Sequence, residues 1–335
     1  MQLLQLLAAL AAAAAARPSS LQPPTRGVGV WRYADGRTFA GRFEEGNPAF
    51  GVLNFPLAQG GGTYCGEFDA GSRRSGSGEM LWSERGGIPG ARYRGAWQYD
   101  HPHGAGVMEL GLGDTYAGRF HDGAMHGNAT LVYASGERYE GAVRGGLPHG
   151  LGVHTWPPFA GRAAATVAVG TAQYVGAFSR GRQRGLGTHT TVNGTTAVGE
   201  FVAGALEGRG LVTRITAEAG RSERTWSARW NAGSTRAQAT APGGDFAGHA
   251  ALSSSAAERD ALLRAAAATA VAARVAAAAA RAILPRAMEA AAAGRAAAAA
   301  ARLEARRALK TTPGCSEVLG ACGGVSYTSV ELNGV

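Results

Sequence analysis

Three histidines, His103, His126 and His149, each followed by glycine (Gly104, Gly127, Gly150), stand 23 residues apart and suggest a ladder of metal ligands. The spacing argues against that use. If each interval adds two β-strands, equivalent imidazoles lie about 9.5 Å apart. Zinc–nitrogen bonds are about 2.0–2.1 Å long, so neighbouring members cannot share an ion. The histidines read as structural turn residues, and no metal or other cofactor is expected. Catalytic arrangements are also missing from the sequence: it holds no G-x-x-x-x-G-K-[ST] loop, no H-E-x-x-H helix and no G-x-S-x-G elbow. Its Gly-x-Gly pairs are not followed by the helix-forming segment a dinucleotide fold needs. The cysteines, Cys65, Cys315 and Cys322, lack zinc-site spacing and are too few for a disulfide framework, so reduced thiols are the simpler reading. The chain is therefore expected not to be an enzyme.

The formal charge of +9 looks at first like a signal for nucleic acid. Divided along the chain, it does not hold up. Residues 27–233 carry 20 basic and 17 acidic side chains, while 234–335 carry 11 basic and seven acidic. Of the 33 basic residues only Lys310 is lysine. Together with the alanine runs, that skew fits GC-rich coding better than selection for phosphate binding, and no specific nucleic-acid partner is expected.

The elements that must hold these residues are legible from glycine and the aromatics. Glycine supplies 52 of 335 residues, while charged residues make up only 17%. This excludes a charge-rich disordered chain, and glycine does not recur at every third place as in collagen. An aromatic-x-Gly-x-aromatic anchor instead returns along the chain: Phe39-Gly41-Phe43, Tyr64-Gly66-Phe68, Tyr93-Gly95-Trp97 and Tyr116-Gly118-Phe120, then Tyr139-Gly141-Val143 and Tyr174-Gly176-Phe178. Degenerate copies stand at Ala197-Gly199-Phe201 and Trp226-Ala228-Trp230. Successive anchors begin 25, 29, 23, 23, 35, 23 and 29 residues apart, which a 23-residue unit with insertions explains. The insertions at Ser83–Arg92, Pro157–Gly170 and Ile215–Arg224 read as exposed loops.

Each part of the unit has a physical job. Period-two alternation puts both rings and the intervening glycine on one strand face. The glycine leaves room for a neighbouring ring to lie across the backbone. The x-Gly-x-x-His-Gly stretch reads as a turn whose glycines can take positive φ, and Asp35-Gly36 or Ser135-Gly136 as a short hairpin signal before a new anchor. One unit is then two antiparallel strands, and because a lone hairpin is marginal in water, successive hairpins must add edge to edge.

The pattern Tyr-x-Gly-x-Phe/Trp-x-x-Gly-x-x-His-Gly-x-Gly, best seen in Tyr93–Gly106, Tyr116–Gly127 and Tyr139–Gly152, resembles the MORN (membrane occupation and recognition nexus) repeat. The resemblance covers residues 27–233, seven to eight units. It implies a scaffold or protein-interaction module, cytoplasmic or at a peripheral membrane or cytoskeletal structure, with other proteins as partners. Two alternatives stay open: a peripheral protein that binds anionic phospholipid, and a regulatory module for an enzyme supplied in trans. The fold expected is an elongated all-β repeat, an antiparallel hairpin meander, with a C-terminal Ala-rich helical tail.

Outside the repeats, residues 1–26 open with an apolar run, Leu3 to Ala16, that ends in a small-residue cleavage pattern but has no basic residue before it. A signal peptide and the secretory route stay open there. Residues 234–255 read as a linker and 311–335 as an irregular tail. Residues 256–310 are Ala-dominated and helix-forming, with Pro285 expected to break or kink the helix and Gly294 to weaken it. Nine basic and two acidic side chains lie within 264–310. The pairs Arg274 with Arg281 and Arg295 with Arg302, seven apart, share a helix face and are the expected contacts for lipid or a partner. The alanine side reads as too small to grip a partner, which leaves a solvated helix.

Overall fold

The computed structural model describes residues 23–84, 90–157, 172–192, 194–215, 222–226 and 256–311. The apolar N-terminal run, the cores of the three insertions, Ala228 and Trp230, the linker, Cys315, Cys322 and the C-terminal tail lie outside the described residues. Among the described residues, sixteen strands follow one another in chain order as an antiparallel meander that does not close on itself, and one long helix follows them. The chain forms two compact units, Met1–Gly111 with Glu289–Val335, and Leu112–Met288.

The first unit holds β1 (Arg26–Arg32), β2 (Thr38–Glu44), β3 (Asn47–Phe55), β4 (Gly62–Phe68), β5 (Arg74–Trp82), β6 (Arg92–Gln98) and β7 (His101–Glu109). The second holds β8 (Thr115–His121), β9 (Ala124–Val132), β10 (Arg138–Arg144), β11 (Leu147–Trp156), β12 (Ala172–Ser179), β13 (Arg182–Thr190), β14 (Thr196–Val202), β15 (Ala205–Ile215) and β16 (Ser222–Trp226). The helix α1 (Ala256–Thr311) contributes its first part to the second unit and residues 289–311 to the first.

Every even-numbered strand from β2 to β14 carries an anchor and turns back into the next strand. At Asp122–Gly123 both loop residues are left-handed, with φ of 48° and 79°, the two-residue turn whose twist matches a hairpin. The reversal thus falls at the first glycine of the x-Gly-x-x-His-Gly stretch and not at its histidine. His103, His126 and His149 lie within β7, β9 and β11, not in turns. The glycine after each histidine sits where the hairpin register shifts: Gly127, φ 77°, falls between the pairs Arg119↔His126 and Gly118↔Ala129. The His-Gly signature is thus a β-bulge, which needs a left-handed residue inside the strand. Between hairpins the expected short turns are present, with the Gly36 amide donating to the Tyr33 carbonyl and Gly136 to that of Tyr133.

The helix departs from expectation in two ways. It continues through Pro285 without a break. An interior proline costs about 3 kcal/mol in a helix, but Pro285 is exposed while Ala280 and Ala287 on either side are fully buried, so docking offsets the lost hydrogen bond. The helix is also not solvated all round. Ala273, Ala277, Ala280, Ala287, Ala298, Ala301, Ala305 and Ala308 are fully buried, at steps of three, four, seven and eleven that define one stripe.

Candidate functional site

Alternation gives the sheet two different faces. On the first, each anchor tyrosine lies over its own glycine and, except at Tyr116, where Ala129 stands opposite, over the glycine paired with it. A Cβ built at Gly66 would stand 2.7 Å from the Tyr64 hydroxyl oxygen, and one at Gly78 only 2.6 Å from the Tyr64 Cε2. Gly66 and Gly78 are register partners, so the ring covers a bare backbone patch spanning two strands. The ring crossing the glycine is therefore the unit's own anchor rather than a neighbour's. The hydroxyls of Tyr64, Tyr93, Tyr116, Tyr139 and Tyr174 donate to the carbonyls of Glu67, Ala96, Arg119, Ala142 and Ala177, each three residues on. These bonds satisfy the one polar atom of each buried ring.

The second aromatic of an anchor links neighbouring hairpins within a unit. In the first unit Phe68 meets Phe39 and Tyr64 edge-on at 5.4 and 5.2 Å, and Trp97 meets Tyr64 and Tyr93 at 5.0 and 5.2 Å. In the second, Phe178 stands between Tyr139 and Tyr174 at 5.0 and 5.1 Å. Val143, without a ring, is buried in the equivalent place.

The opposite face carries the residue inside each aromatic-x-Gly triplet. In the first unit a row of register partners runs Ala40, Val52, Cys65, Glu79, Arg94, Val107. Ala40, Val52 and Cys65 form one buried cluster with Ala298, Ala301, Ala305, Ala308 and Leu309 of α1. Burial pushes the Cys65 thiol up to about 12, which removes its nucleophilic form near neutrality. Gly294 approaches so closely that an added Cβ would be 2.7 Å from the Gly78 carbonyl oxygen and 2.9 Å from the Gly95 nitrogen. It is a contact point, not a weakness in the helix.

Two sheet carboxylates receive helix arginines. Glu79, with 7% of its side chain exposed, accepts Arg94 Nε at 3.0 Å on one oxygen and Arg302 on the other. Burial alone would raise the Glu79 pKa, but the Arg302 and Arg94 guanidiniums outweigh it and hold the carboxyl below its ordinary range. In the second unit Glu140, with 9% of its side chain exposed, accepts Arg138 at 2.8 and 2.9 Å and also Arg281. Of the four arginines singled out in the sequence, Arg281 and Arg302 thus serve the chain's own sheet, whereas Arg274 and Arg295 are exposed. A stripe of equal alanines would slide at little cost, so these ion pairs and Gly294 set the helix register.

His126 is exposed, His103 and His149 are half-buried, and among the described residues no group of three or more His, Cys, Asp or Glu could hold a metal. Sequence reasoning passed over two other histidines. Fifteen residues after their anchors, His154 and His189 stand opposite Tyr139 and Tyr174, where Leu53, Met80, Met108 and Leu131 face the other anchors. Aligning the units on their tyrosines would have shown the substitution.

Residues 93–111, 116–138, 139–158 and 174–196 match the family model of the MORN repeat. No curated protein matches the chain. The four segments fall on the hairpins β6–β7, β8–β9, β10–β11 and β12–β13, and β4–β5 repeats their ring-covered glycine, tyrosine–carbonyl bond and bulge. The chain thus carries MORN repeats between residues 93 and 196.

Proposed function

We propose that this protein is a non-catalytic scaffold, a protein-interaction module built from MORN repeats, working in the cytoplasm or at a peripheral membrane or cytoskeletal structure. MORN repeats generally serve as protein or membrane interaction modules. The observation that carries the reading is the seating of α1: within each unit the sheet receives a small-faced helix and grips it with a buried carboxylate. A surface of that kind binds by shape and charge and performs no chemistry. The test is purification of the tagged chain from its native host with quantitative mass spectrometry. Recurrent substoichiometric proteins without shared enzymatic activity support the scaffold; a single stoichiometric enzyme would instead favour a regulatory module acting in trans.

Anionic phospholipid binding is the second reading, favoured by the exposed Arg274 and Arg295 among the Arg264, Arg286 and Arg307 side chains of the same helix. Each basic side chain near an anionic surface contributes about 1 kcal/mol. Sedimentation of the full chain with phosphatidylserine vesicles separates the readings. Binding that falls about 30-fold in an Arg274→Ala/Arg295→Ala variant would favour lipid. Binding equal to that on neutral vesicles would sink it.

A further inference from the structure

The two units use different residues beneath their ring ladders. In the first, Leu53, Met80 and Met108 face the anchor rings; in the second, two successive hairpins present His154 and His189. His154 lies 4.3 Å from the Trp156 ring, 5.9 Å from Tyr133, 6.4 Å from Phe178 and 6.5 Å from Tyr139. Trp156 continues the contact to His189 at 5.5 Å. We propose that this imidazole pair makes the second unit an acid-sensitive segment of the protein, in which protonation inside the ring cluster opens hairpins β10–β11 and β12–β13 while the first unit stays closed.

Among the described residues, the register partners of the pair are rings and an alanine. From β10 comes Tyr139, and from β12 Tyr174, the register partner of both histidines. The approach to β10 brings Tyr133, with Asp114 acting on it, and Glu137. From β14 the residue opposite His189 is Ala197. Glu137 Oε2 is 3.1 Å from His154 Nε2, but not aligned as a hydrogen bond, and burial raises the Glu137 pKa. Burial pushes both imidazoles down to about 4, with each charge on His189 further opposing one on His154.

The sign follows from linkage. An opened hairpin binds protons with the ordinary imidazole pKa of about 6.5, the closed one only near 4, so closure is fully stable above pH 6.5 and weakens as pH falls from 6.5 to about 4. At about pH 5 each histidine shifts the opening equilibrium by about 30-fold, and the two together by about 10³-fold. Glu79 of the first unit, held below the ordinary carboxylate range, resists protonation as pH falls.

Hydrogen–deuterium exchange of the full chain at about pH 7.5 and about pH 5, corrected for intrinsic exchange, tests this. Peptides covering 138–156 and 172–190 are expected to lose at least about 100-fold in protection at the lower pH, and those covering 38–82 less than about 10-fold. A His154→Leu/His189→Leu variant, which restores the residue type of Leu53 and Leu131, is expected to abolish the difference. Uniform loss in both units, or an acid loss that persists in the variant, would overturn the proposal. An NMR titration of the wild-type imidazoles covers the case of a variant that does not fold: values near 6.5 for both would overturn it equally, and values near 4 would support it.

Discussion

The two units of the molecule solve one packing problem with different margins. Both lay anchor rings over paired glycines on one face, and both present a buried carboxylate to α1 on the other. The first unit has a continuous edge-on ladder, Phe43–Phe39–Phe68–Tyr64–Trp97–Tyr93. The second interrupts its ladder at Val143 and inserts two imidazoles. The comparison teaches that a second ring can be lost and a polar group gained around a ring–glycine contact that is kept from Phe39 in β2 to Tyr174 in β12.

The largest difference should appear when an anchor ring is removed. Tyr64→Ala deletes a fully buried ring touching both Phe68 and Trp97, and should cost about 4–5 kcal/mol in urea melts. Tyr139→Ala removes a ring whose own anchor partner is valine, and should cost about 3 kcal/mol. Equal costs would remove the ladder as the distinction between units.

The ion pairs sharpen the contrast next. Arg302→Ala strands a carboxylate with 7% exposure and should cost about 3 kcal/mol, although Arg94 stays beside it. Arg281 is itself 54% exposed, so Arg281→Ala should cost only about 1 kcal/mol. A larger loss for Arg281 would mean that the second unit, not the first, holds the helix more firmly. Gly118→Val probes the ring face of the second unit. Its Cβ would meet Ala129 Cβ at 2.5 Å and the Tyr116 hydroxyl at 2.6 Å, so a loss of about 1–3 kcal/mol is expected despite the better strand propensity of valine. A melting temperature at or above wild type would show the glycine to be merely tolerated.

Much of this architecture is legible in the sequence, for identifiable reasons. The period, the hairpins and the facing of ring and glycine follow from alternation, which residue types record directly. Bulges are less visible: His126-Gly127 and Asp122-Gly123 both look like turn chemistry, and only pairing tells which reverses the chain. The docked helix is hidden for a different reason. Buried Ala280 and exposed Ala278 are the same residue, so no apolar stripe stands out against its surroundings. Glu79 and Glu140 each occupy an ordinary variable position in the repeat, and their partners lie 223 and 141 residues away, beyond any local pattern.

The claim that the alanine helix is held against the sheet, rather than solvated, turns on Gly294. In a solvated helix Gly294→Ala should stabilise by about 1 kcal/mol through propensity alone. Seated 2.7 Å from the Gly78 carbonyl oxygen, the new methyl group should instead cost about 1–3 kcal/mol. A urea melt of Gly294→Ala therefore decides by sign: a lower midpoint is the predicted result, and a higher one would contradict the docked helix and the register built on it.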